Sequence, residues 1–81
     1  MKNMNKELIN DEEFELISKY TKIRYESKIS QRELSRRIGI AQSTIARMEK
    51  NMHSMSIGNF AKLLSVLGYK LEILKKEEKN E

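Results

Sequence analysis

The stretch SQRELSRRIGIAQSTIARMEK, residues 30–50, holds the side chains of this chain best suited to reading another molecule: Gln42, Ser43 and Arg47. On a helix, at 100° per residue, Ser43, Ala46, Arg47 and Lys50 lie opposite Ile45 and Met48, with Gln42 at the N-terminal edge of the same face. A primary amide bonds bidentately to adenine N6 and N7, and a guanidinium to guanine O6 and N7. A helix of about ten residues fits the width of a DNA major groove, and the free N-terminus of a preceding helix can hold a phosphate. The competing reading is a solvated polar face, the ordinary state of a helix surface.

Other chemistry has little to work with. The chain has one histidine, His53, no cysteine and three glycines, none of them in a phosphate-cradling loop. Glu12, Glu13 and Glu15 read as charges at a helix start and form no acid–base pair with defined spacing. A non-enzymatic protein with neither metal nor cofactor is expected. With 81 residues it is one small domain with a modest core, too small to enclose a deep catalytic cleft alone. The net charge of +4 fits a polyanionic partner, although 35% charged residues of both signs also describe a solvated surface. No apolar run approaches the roughly 18 residues of a membrane span, and Leu8-Ile9 is soon followed by acids, so neither a membrane segment nor a signal peptide is expected. The lack of cysteine fits a reducing, cytoplasmic location.

The elements that must position residues 42–47 are punctuated by caps and turns. Residues 1–10 are expected to be a flexible N-terminal segment. Asn10-Asp11-Glu12-Glu13 has the pattern of a capped helix start. From there Phe14, Leu16, Ile17, Tyr20 and Ile23 recur at three- and four-residue steps, which predicts a first helix over about 11–27. Ser30-Gln31-Arg32-Glu33 repeats the capping pattern and opens a second helix with Leu34 and Ile38 on one face, ended by Gly39 at positive φ. A third helix over about 41–50 turns Ala41, Ile45 and Met48 inward, and Asn51 can close it in the left-handed conformation. Ser56 caps a fourth helix whose stripe is Ile57, Phe60, Leu63, Leu64 and Leu67, stopped by Gly68. Met48, Met52 and Met55 have the spacing of packing residues. The fold expected is all-α, four to five short helices, with residues 11–68 as its domain.

Residues 69–74, YKLEIL, differ in kind. Tyr69, Leu71 and Ile73 alternate with Lys70 and Glu72, the period of a half-buried strand. A lone strand leaves its backbone groups unpaired, so Tyr69, Leu71 and Ile73 are expected to meet a second copy in a homodimer, as an antiparallel pair across a two-fold axis. The alternative is that the fourth helix resumes through Leu67, Leu71 and Leu74. Residues 75–81 read as a disordered, solvated tail.

The run Gln31-x-x-Leu34-Ser35-x-x-x-Gly39-Ile40-x-x-x-x-Ile45-x-x-Met48-Glu49 resembles the helix-turn-helix of the lambda-repressor-like, XRE family of bacterial and phage DNA-binding proteins, and residues 11–68 follow that family's whole helical domain. The resemblance implies double-stranded DNA as partner, a third helix that reads the major groove, and a homodimer on a palindrome. It places Gln42, Ser43 and Arg47 at base-reading positions, with Thr44 beside them at the backbone. Gln31 and the start of the second helix would grip phosphate. Lys50 and Asn51 fall where helix-end and loop residues position the backbone. Arg32 and Arg36 face outward as phosphate ligands or as solubilising charges, and His53 is a loop residue that either touches phosphate or is incidental. Arg24 and Glu49 match an ion pair that ties the first helix to the end of the third.

Ser35 stands where the family usually has alanine, and is small enough for a close helix crossing. Two residues depart from the pattern. Ala41 replaces the serine or threonine that usually caps the third helix, and Lys28 stands where glycine often follows the first, implying either a different turn or a left-handed lysine. The ending LGYKLEIL is also similar to antitoxins of the HigA and HipB type. An antitoxin that binds a toxin protein and regulates its own operon is therefore the alternative to a repressor.

Overall fold

The computed structural model describes residues 10–77. Four α-helices follow one another: α1 (Asp11–Ser27), α2 (Gln31–Ile38), α3 (Gln42–Glu49) and α4 (Ile57–Val66). Three of the four starts carry the side-chain cap that the sequence predicts. Asn10 Oδ1 accepts from the Glu13 amide at 2.7 Å, Ser30 Oγ from Glu33 at 3.0 Å and Ser56 Oγ from Asn59 at 3.1 Å. Each cap satisfies a donor that the first turn leaves without an intrahelical partner. At α3 the cap position is Ala41, and no side-chain bond forms there.

Three of the four helix ends share one solution. After α1, the Lys28 amide donates to Tyr25 O at 3.0 Å and the Ile29 amide to Arg24 O at 3.4 Å, with Lys28 left-handed at φ 58°. The same pair of bonds recurs after α3, from Asn51 to Met48 O and from Met52 to Arg47 O, with Asn51 at φ 62°. It recurs again after α4, around Gly68. This is the Schellman arrangement, which needs one left-handed residue and returns the chain sharply. Of the two possibilities for Lys28, the structure holds the left-handed lysine.

The core lies where α1, α2, α3 and α4 converge, on Ile17, Tyr20, Leu34, Ile45, Met48, Phe60, Leu63 and Leu64. The rings of Tyr20 and Phe60 meet edge to face at 5.8 Å between centroids, a favourable aromatic geometry. Ala41, expected to turn inward, is exposed at the cap position before α3, and four residues of the expected apolar stripes are exposed as well. Phe14 and Leu16 are 50% and 43% exposed, Ile57 is 77% exposed, and Met52 is also exposed. The covered face of α1 centres on Ile17, Tyr20 and Arg24, and Phe14 and Leu16 stand about 70–90° round the helix from that centre. Ile57 opens α4 and Met52 sits in the turn after α3, so neither is carried into the helix crossing.

Residues 69–77 form neither a strand nor a continuation of α4 among the described residues. The Tyr69 amide still donates to Leu64 O at 2.8 Å. Beyond it, Leu71 packs on the core while Ile73 is 98% exposed. The expectations for residues 1–9 and 78–81 lie outside the described residues.

The turn between α2 and α3 depends on Gly39, whose φ is +73° and whose amide donates to Ser35 O at 2.9 Å. A Cβ at this position would meet no atom within 4 Å, so the cost of a substitution is backbone strain alone. Gly39→Val should lower stability by about 2 kcal/mol, because a branched residue tolerates the left-handed region worst, while Gly39→Asn should cost clearly less. Urea denaturation followed by circular dichroism checks the order.

Candidate nucleic-acid interface

α3 is docked by one face. Ile45 and Met48 are fully buried, while Gln42, Ser43, Arg47 and Lys50 on the other side are exposed. Thr44 and Ala46 lie between, half-buried. The three residues expected to read bases therefore share one open surface, on a helix fixed from behind.

What fixes it is the carboxylate of Glu49, the last residue of α3. Oε2 accepts from Tyr20 Oη at 2.6 Å and from Arg24 Nε at 2.8 Å, and Oε1 accepts from Arg24 Nη2 and Gln31 Nε2, both at 2.9 Å. Arg24 completes the set by donating Nη1 to Ile29 O at 2.9 Å. The predicted ion pair is present, and both side chains are only 7% exposed. Burial, the largest single influence on Glu49, pushes its carboxyl up, but the hydrogen bonds from Arg24, Tyr20 and Gln31 together outweigh it and hold the group below its ordinary value of 4.5. Burial, followed by the bond to Glu49, raises the Tyr20 phenol well above its usual range. The hydrogen bond to Glu49 raises the Arg24 guanidinium further, so the pair is charged throughout the physiological range.

The sequence did not reveal that Tyr20 and Gln31 join this pair. Tyr20 stands one turn before Arg24 on the same face of α1, a signal that was available. Gln31 comes from another helix, and no local pattern points it at Glu49. Its amide is turned to the network, leaving a second hydrogen for an acceptor outside.

The remaining candidates divide. Arg32 is exposed. Arg36 is exposed too, but its Nη2 donates to Glu33 Oε2 at 2.6 Å, and Arg37 Nε reaches the same oxygen at 2.8 Å. Hydrogen bonds from Arg36 and then Arg37 hold the Glu33 carboxyl below its ordinary value. Asn51 serves the turn after α3 and buries its side-chain oxygen without a partner. His53 is exposed in that turn. No group of acids and histidines among the described residues could hold a metal ion, and no described helix is long and apolar enough to cross a membrane.

Two short helices joined through a left-handed glycine, the second offering a polar face outward, define a helix-turn-helix domain. A family model described as helix-turn-helix matches residues 21–74, more than half of the chain. The chain belongs to this XRE-type helix-turn-helix family, a family of DNA-binding regulators and not of enzymes. No curated protein matches it.

Because the Glu49 carboxyl is lowered in the fold, its contribution to stability is full above about pH 4.5, its unfolded value, and is lost as pH falls through the folded value. Glu49→Gln should destabilise the domain by about 3 kcal/mol at neutral pH, since Arg24 keeps a buried charge without its counter-ion. The gap to the parent protein should narrow as acid protonates Glu49. Urea unfolding from pH 7 downward tests this, and a gap of constant size would show that the charge is not what matters.

Proposed function

We propose that the chain is a homodimeric repressor that reads a palindromic operator with α3, in the cytoplasm. The observation that carries this reading is the exposed set Gln42, Ser43 and Arg47 on a helix anchored from behind by Ile45, Met48 and the Glu49 network. Gln42 and Arg47 pair with base edges and Ser43 sits close to the bases. Gln31, Arg32, Arg36, Thr44, Lys50 and Asn51 take the backbone, Arg36 by exchanging Glu33 for a phosphate and Gln31 through its second amide hydrogen. Residues 11–68 act as the DNA-binding domain and residues 69–74 as the dimerising segment. Pairing there would give Tyr69, Leu71 and Ile73 a ladder and set two copies of α3 about 34 Å apart, one turn of DNA.

A second reading, an antitoxin that also binds a toxin protein, is favoured by the apolar surface that Phe14, Leu16, Ile57, Ile73 and Leu74 leave open. A protein encoded beside this one that co-purifies with it and is inhibited by it would distinguish the two.

Selection of bound duplexes from a random pool tests the reading directly. A palindromic site should emerge. Arg47→Ala should cost roughly 1–3 kcal/mol and relax one position of each half-site, and Gln42→Ala should relax another. Arg36→Ala should weaken all sequences alike and make the salt dependence shallower by about one unit per subunit. A profile unchanged by both Arg47→Ala and Gln42→Ala would reject the base-reading assignment.

The dimer has its own test. Leu71 packs on the core, whereas Ile73 is almost wholly exposed, so Ile73→Pro removes a backbone donor without disturbing the domain. Light scattering should report a folded monomer, with affinity for a full operator lower by about 10²-fold. An unchanged dimer would place the interface elsewhere.

A further inference from the structure

We infer that Tyr25 is a further DNA-backbone contact, donating its phenolic hydroxyl to a phosphate beside the start of α2. The inference rests on the reading of α3 as the recognition helix and adds a residue that the sequence did not single out.

An open notch in the surface is lined by Arg24, Tyr25, Ser30, Gln31, Arg32 and Gln42. It brings the end of α1, the start of α2 and the start of α3 onto one concave surface. Tyr25 therefore shares a wall with Gln42, which faces the bases, and with Arg32, which supplies positive charge. With the Glu33 amide taken by Ser30 Oγ and the Leu34 amide by Ser30 O, the amides of Gln31 and Arg32 are left at the start of α2 without an intrahelical partner. An anion seated there meets a guanidinium, backbone N–H groups and a phenol together.

Tyr25 is 68% exposed, and no hydrogen bond joins its hydroxyl to another described residue. Its ring is nevertheless held. The Arg24 guanidinium lies 4.7 Å from the ring centroid, a cation–π contact. Arg24 itself is locked by its bonds to Glu49 and Ile29 O. The residue that anchors α3 from inside thus also steadies an aromatic side chain at the outer rim. A phenol with two rotatable angles, already stacked, loses little freedom on meeting a phosphate.

The test is Tyr25→Phe, which keeps the ring and its stacking on Arg24 and removes only the hydroxyl. Binding should fall about 10- to 100-fold per subunit for operator and unrelated duplexes alike, the size of one hydrogen bond to a charged acceptor. The base preferences and the thermal midpoint should not move. The salt slope should also stay the same, because a neutral donor releases no counter-ion, which separates Tyr25 from Arg36. If Tyr25→Phe binds like the parent protein while Arg47→Ala still alters the selected site, the Tyr25 contact is wrong and the recognition helix stands. Undiminished binding by Tyr25→Phe with weaker binding by Tyr25→Leu would assign the ring and reject the hydroxyl. An altered base profile in Tyr25→Phe would reject a backbone contact. If neither Tyr25→Phe nor the α3 variants change binding, the reading of α3 fails and this inference fails with it.

Discussion

The carboxylate of Glu49 is where three helices are tied together. It closes α3 and accepts hydrogen bonds from Tyr20 and Arg24 of α1 and from Gln31 of α2. A charge taken this far out of water is stabilising only when its lone pairs are fully used, and here two oxygens receive four donors. Displacing α3 would break several of these bonds together. The consequence is functional, because a helix that reads base edges through bidentate contacts must hold its side chains to within a fraction of an ångström.

Helices of eight residues, such as α2 and α3, have little stability alone. Their persistence comes from local closure at the ends and from the burial of a few large side chains, Leu34 from α2 and Ile45 and Met48 from α3. Because α3 is held by its inner face and by its last residue, its outer face need contribute nothing to folding. Gln42, Ser43 and Arg47 are thus free to be chosen for what they touch outside the chain.

Two surfaces emerge that share no residue. The polar notch at the start of α2 gathers Tyr25, Gln31, Arg32 and Gln42. A mostly apolar groove between α1 and α4 is lined by Leu16, Ile17, Met48, Met55, Ile57, Phe60 and Leu71, with Glu13 as its one charged residue. The separation matters for the proposed dimer, since Leu71 lines the apolar groove and none of residues 69–74 lines the notch. A partner on that side and DNA at the notch would not compete for the same atoms.

The sequence alone determined what is set by bonds of short reach. Asn10, Ser30 and Ser56 cap helices, Gly39 and Asn51 take left-handed turns, and Ile45 and Met48 go inward, because each outcome depends on a few neighbouring residues and on helical period. The Arg24–Glu49 pair was legible only through the resemblance, since 25 residues separate the partners. The tertiary structure decided what periodicity leaves open. It settled that Phe14, Leu16 and Ile57 are not covered, that Tyr20 and Gln31 turn to Glu49, and that Tyr25 stands in the same notch as Gln42. A repeat of apolar residues fixes the direction in which a side chain points. Whether anything lies in that direction depends on how the other helices cross, and no stretch of neighbouring residues contains that information.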